Sequence, residues 1–240
     1  MPELPAALPP AQRTIGQFIG ETIRTYSAHF WRAVPLGIPL AVADQLSVHQ
    51  SPKLQIVIFW ALGPLVVAAY VRAVSIVYEV RPALTPYLVG LLIYAPFPIL
   101  RAAFFLPGIA WFALIGLAVP AALVERLRFR EALIRGRRLG AADYVHSLGS
   151  LASLVIVVGI AEITLTALLH SQSGNSQRVA LLLADLILSP LLFLGGALLY
   201  QDQAARVGSR HPNSRSARDA DLHPPVDPDP AGRPDAEGQS

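Results

Sequence analysis

The sequence predicts an all-α fold, a polytopic membrane bundle of six transmembrane helices preceded by an interfacial amphipathic helix. Three observations predict it. The 240-residue chain is 53% hydrophobic and only 15% charged, with a mean hydropathy of +0.48. A soluble domain carries about a quarter charged residues, so this apolar excess points to a lipid solvent. Six apolar runs approach the roughly 17 to 25 residues that a bilayer core requires. Arginine-rich segments alternate with segments nearly free of basic residues along the chain.

In chain order, residues 1–13 read as an unstructured leader, and Met1–Pro10 carries no basic n-region, so no cleaved secretion signal is expected. A membrane domain then runs over 14–207. Between Thr14 and Trp31, apolar Ile15, Phe18, Ile19, Ile23, Tyr26 and Phe30 recur at helical spacing, and Thr14 with Gln17 matches a capping box. This segment reads as a helix lying on the cytoplasmic leaflet; the alternative is a plain cytoplasmic extension of the first span. The six spans fall at about 33–50, 54–78, 87–106, 107–124, 148–170 and 177–200. The first is the weakest, being short and carrying Pro35, Pro39 and Asp44. Ser51-Pro52 and Thr85-Pro86 each place a capping hydroxyl before a proline at the first helical position. Leu106-Pro107-Gly108 reads as a tight turn between the third and fourth spans, and 171–177 as a polar outer loop. Residues 208–240 hold few large apolar side chains and are expected to be disordered.

Orientation follows from the arginines. Arg126, Arg128, Arg130, Arg135, Arg137 and Arg138 crowd into the segment 125–146, whereas the opposite loops hold little beyond Lys53 and Arg178. The positive-inside rule puts both termini in the cytoplasm, which an even number of spans permits. The same six arginines are candidate contacts for anionic lipid headgroups; a simple topology determinant is the alternative. Phe129 and Tyr144 alone give no aromatic platform for nucleic acid.

Ionisable residues inside apolar spans are costly. Asp44, Arg101, Glu162 and Asp185 lie on four different spans at similar depth in the outer third, with His49 and His170 just above them. They form a candidate outward-facing polar pocket in which Arg101 pairs with Glu162 or Asp185. Buried structural pairs, or side chains turned to interfacial water, are the alternatives. The chain has no cysteine, which excludes disulfides, thiolate metal sites and thiol nucleophiles. No Walker loop, His-Glu-x-x-His or Gly-x-Ser-x-Gly motif is present. No catalytic, metal or cofactor site is therefore expected.

Three stretches carry a family resemblance: Ile19–Tyr26 (IGETIRTY) with His29-Phe30, Glu125 followed by Arg130–Leu139 (REALIRGRRL), and Pro190 followed by Gly196–Asp202 (GALLYQD) and Arg206. Over about residues 14–207 the chain resembles bacterial six-span proteins that include the membrane domain of glycerophosphoryl diester phosphodiesterases. The resemblance implies a membrane domain of the bacterial cytoplasmic membrane. It does not carry the phosphodiesterase activity, because the His-Arg-Gly signature of the catalytic barrel is missing. Two functional readings follow. One is a non-enzymatic protein that contacts membrane lipids, a membrane-protein partner or another copy of itself. The other is a small permease-like protein that uses the polar pocket, with a lipid-modifying enzyme as a weaker third.

Overall fold

The computed structural model describes residues 9–103, 105–168 and 174–210. All regular structure among them is helical. His170, residues 171–173 of the expected 171–177 loop and nearly all of the expected C-terminal tail lie outside the described residues, and 174–177 open the last helix instead of a loop.

A 3₁₀ turn at Pro10–Gln12 precedes α1 (Ile15–Ala28). The capping box is present: the Gln17 N–H donates to the Thr14 hydroxyl at 3.4 Å, and the Thr14 N–H donates to the Gln17 carbonyl oxygen at 3.0 Å. The apolar stripe of α1 is divided between two environments. Phe18 and Tyr26 turn into the bundle with Thr22, while Ile23 and the neighbouring Trp31 stay exposed.

The region expected as the first span is helical but interrupted. It runs as α2 (Phe30–Ala33), a 3₁₀ turn (Val34–Gly37) and α3 (Ile38–Ser47). Pro35 and Pro39 each lack a backbone donor, and the ladder tightens to 3₁₀ between them. The second span is α4 (Pro52–Tyr78), which begins as expected with the Ser51 hydroxyl accepting from the Leu54 N–H. The third is split into α5 (Leu84–Tyr94) and α6 (Phe97–Ala103), and the fourth into α7 (Phe105–Ile115) and α8 (Ala118–Val124). Two expected boundaries move. α5 starts one residue before Thr85 and has no side-chain cap. Leu106, Pro107 and Gly108 belong to the start of α7 and form no turn, because a proline in the first helical turn gives up no hydrogen bond. The arginine-rich segment folds into α9 (Phe129–Ala142), and the regions expected as the last two spans form α10 (Tyr144–Leu168) and α11 (Gly174–Arg210).

Five stretches are long and apolar enough to cross a membrane: Pro52–Tyr78, Leu84–Ala102, Leu106–Val124, Tyr144–Leu165 and Arg178–Gly208. Large apolar side chains such as Val57, Leu65, Leu92, Ile156 and Ile160 project outward from them, which suits a lipid surround and not water. The broken segment 30–47 falls short of this length in any single helix.

Polar contacts define the two ends of the bundle. At one, here called proximal, Arg13 pairs with Asp202 at 3.0 Å and Arg206 pairs with Asp143 at 3.1 Å. Arg206 also donates to the Arg13 carbonyl at 2.9 Å, and the Tyr200 hydroxyl donates to Glu125 at 2.6 Å. The segment before α1, the start of α10 and the end of α11 therefore meet. At the opposite, distal end, the Gln45 side chain donates to the Arg178 carbonyl at 3.3 Å. The chain thus passes from the proximal end at Arg13 to the distal end at Gln45 over α1, α2 and α3.

Helix breaks release carbonyls that an apolar surround cannot satisfy. At the α5–α6 break, the Trp111 indole donates to the Ile93 carbonyl at 2.9 Å and the Trp60 indole to the Ala95 carbonyl at 2.7 Å. Pro120 has no N–H for the Gly116 carbonyl four residues back, and the Tyr70 hydroxyl donates to it at 3.3 Å. Pro190 releases the Leu186 carbonyl in the same way, and the backbone at Gly37 packs directly on that oxygen. A Cβ at Gly37 would collide with the Leu186 carbonyl. Small residues also let α9 lie close beneath α7 and α8. Ala132, Gly136 and Gly140 are buried, and a Cβ on Gly136 would strike the Ala118 backbone.

Gly37→Ala is expected to lower stability by about 1–3 kcal/mol, the range for overpacking a filled interior. Thermal unfolding in detergent measures this. Gly20→Ala, where an added Cβ meets nothing within 4 Å, is the neutral control.

Candidate functional site

Asp44, Arg101, Glu162 and Asp185 line one cavity of about 720 Å³ at the distal end of the bundle. They arrive from α3, α6, α10 and α11. Two of the four depend on helix breaks for their position. Asp44 follows the 3₁₀ turn at Val34–Gly37, and Arg101 follows the α5–α6 break. Gln45, Ser47, Gln55 and Ser189 add neutral polar groups to the wall, and Leu40, Phe97, Val155 and Leu192 supply an apolar floor.

Arg101 has a different partner from the one expected. It donates to Asp44 at 2.8 Å, so the pair joins α6 to α3 in place of α10 or α11. Its guanidinium carbon also lies 3.9 Å from the centre of the Phe59 ring, a cation–π contact that covers one face. Arg101 and Asp44 keep 29% and 39% of their side-chain surface exposed, so solvent in the cavity screens the pair. Asp44, Glu162 and Asp185 repel one another electrostatically, and Arg101 offsets part of that repulsion. Among the described residues, three acidic side chains face one basic side chain in this cavity. The wall therefore favours a positively charged occupant.

Phe59, Gln45, Gln55 and Ser189 are part of the site and carry no distinguishing mark in the sequence. Gln45 directly follows Asp44, and Gln55 lies in the first turn of α4. Only the packing of the helices brings them to the same wall. His49 is exposed beyond α3 and does not line the cavity.

The six arginines of segment 125–146 divide. Arg135 turns inward and binds Glu125 through Nε at 3.0 and 3.2 Å, so it is engaged within the fold. Arg126, Arg128, Arg130, Arg137 and Arg138 are exposed around the proximal end. Glu131 accepts the Arg128 N–H at 3.1 Å and starts α9, where a negative charge favours the helix dipole.

No family model, curated protein or solved structure matches the chain.

A double-mutant cycle of Asp44→Asn and Arg101→Gln, followed by thermal unfolding, is expected to give a coupling of about 1–2 kcal/mol, between exposed and buried pairs. Arg101→Gln alone is the more damaging single change, because it leaves three carboxylates facing one another. Additive single effects would show that the pair contributes nothing.

Proposed function

We propose that this chain is a multi-pass protein of the cytoplasmic membrane that takes up a cation in the distal cavity, as a small permease-like or solute-binding protein does. The observation that carries the reading is the convergence of four charged side chains from four helices, with acidic groups in excess, on one cavity between apolar helices. A cavity of this size is in the range of small-molecule sites. Charges at such positions in membrane helices mark substrate or ion paths by default.

In this reading the chain crosses six times. The sixth crossing is the composite of α2, the 3₁₀ turn and α3, whose far end is held where Gln45 donates to the Arg178 carbonyl. The arginines around α9 put the proximal end in the cytoplasm, and the cavity then faces outward. α1 lies at the cytoplasmic interface, with Trp31 and Ile23 available to lipid. The resemblance to the six-span membrane domain of glycerophosphoryl diester phosphodiesterases belongs to the same proposal, without that enzyme's activity.

A second surface favours lipid contact. Arg128, Arg130, Arg137 and Arg138 project from one cytoplasmic helix and its lead-in. Each basic residue near an anionic leaflet contributes about 1 kcal/mol.

Proteoliposomes loaded with the purified chain are expected to pass small organic cations such as methylammonium faster than empty vesicles. Asp185→Asn and Glu162→Gln are expected to reduce that flux about tenfold or more, while Arg137→Gln leaves it unchanged. Wild-type flux equal to that of empty vesicles, together with no binding of the cation, would remove this reading.

A further inference from the structure

The polar cavity has an apolar annex. A second chamber of about 140 Å³ lies deeper in the bundle, and Leu40, Phe97, Val155 and Leu192 line both spaces. The rest of its wall includes Val66, Ile109, Phe112, Leu151 and Phe193. Two tyrosines also border it, yet neither hydroxyl is offered to an occupant. Tyr70 donates to the Gly116 carbonyl and Tyr94 to the Phe59 carbonyl at 3.2 Å. The chamber is thus apolar throughout its described lining, while the neighbouring cavity, with which it shares four lining residues, carries three acids and one arginine.

We infer that the occupant is an amphiphilic organic ammonium, its charged head among Asp44, Glu162 and Asp185 and its apolar tail in the deeper chamber. The inference rests on the cation reading above and specifies its ligand class. Two features favour this class over a bare metal ion. Among the described residues, no three acidic or imidazole side chains are placed to hold a metal together, so the carboxylates suit a broad cation better than a point charge. Glu162 and Asp185 also stand on the α10–α11 wall of a cavity that, at about 720 Å³, has room for a substituted ammonium. The chamber approximates the size of a cavity that holds benzene, so it fits a tail of about six carbons. The ammonium could belong to a lipid headgroup or to a free amine, and both present the same chemistry to the wall.

The test is calorimetric titration of the full chain in maltoside micelles with methyl-, butyl-, hexyl- and decylammonium. Affinity is expected to rise about two- to fourfold per methylene, then level off near six carbons. Val66→Phe, which fills only the chamber, is expected to abolish the gain from the tail and to leave methylammonium binding unchanged. Leu151→Phe serves the same purpose should Val66→Phe fail to fold. Displacement of hexylammonium by added phosphatidylethanolamine, and not by phosphatidylglycerol of the same chains, assigns the ammonium to a lipid; no displacement by either assigns it to a free amine. Methylammonium and hexylammonium binding equally well would overturn the amphiphile and leave the cation reading standing. Tail-dependent binding that survives the triple variant Asp44→Asn, Glu162→Gln, Asp185→Asn would show mere partitioning and overturn the proposal. No binding by any ammonium would overturn both.

Discussion

A helix surrounded by hydrocarbon cannot leave a backbone carbonyl without a donor, and this chain breaks its helices repeatedly with proline. Carbonyls at two of these breaks find side-chain donors nearby. Trp60 and Trp111 serve the α5–α6 break, and Tyr70 serves the Gly116 carbonyl. These repairs make the bends affordable, and the bends make the cavity. Asp44 reaches it beyond the 3₁₀ turn and Arg101 beyond the α5–α6 break. With two straight helices in these places, each charge would take a different rotation about its axis and the convergence would be lost.

The two ends of α11 serve opposite purposes. Near its start, Asp185 faces the cavity, and near its finish, Asp202 is fully buried against Arg13. Arg206, one turn later, ties Asp143 and the Arg13 carbonyl to the same helix. Breaking one partner of such a buried pair is far more damaging than replacing both, so these contacts fix the proximal end of α11.

Much of this was legible in the sequence, because the strongest signals are local. The capping hydroxyls at Thr14 and Ser51 and the limits of the longest apolar runs depend on neighbouring residues alone. The shared depth of four charges follows from counting residues, and the structure gathers those four into one cavity. What the sequence hid depends on rotation and contact between helices. Arg101 was expected to pair with Glu162 or Asp185, but the turn of α6 past its break aims it at Asp44. The arginines of α9 obscured a second pattern, the small residues Ala132, Gly136 and Gly140, whose meaning appears only against the Ala118 backbone. Residues 1–13 read as unstructured, yet Arg13, at their end, finds its partner 189 residues away.

The central claim is that the interrupted segment 30–47 completes an even number of crossings, so that both described ends share one face and the acidic cavity opens on the other. The chain contains no cysteine, so single cysteines introduced one at a time report position without a background. Labelling Gln12→Cys, Gly208→Cys and Lys53→Cys in intact cells and in inverted vesicles with a membrane-impermeant maleimide reads the answer directly. The account predicts that Gln12→Cys and Gly208→Cys react only in inverted vesicles and Lys53→Cys only in intact cells. Reaction of Gln12→Cys and Gly208→Cys from opposite faces, or of Lys53→Cys from the same face as both, would contradict it.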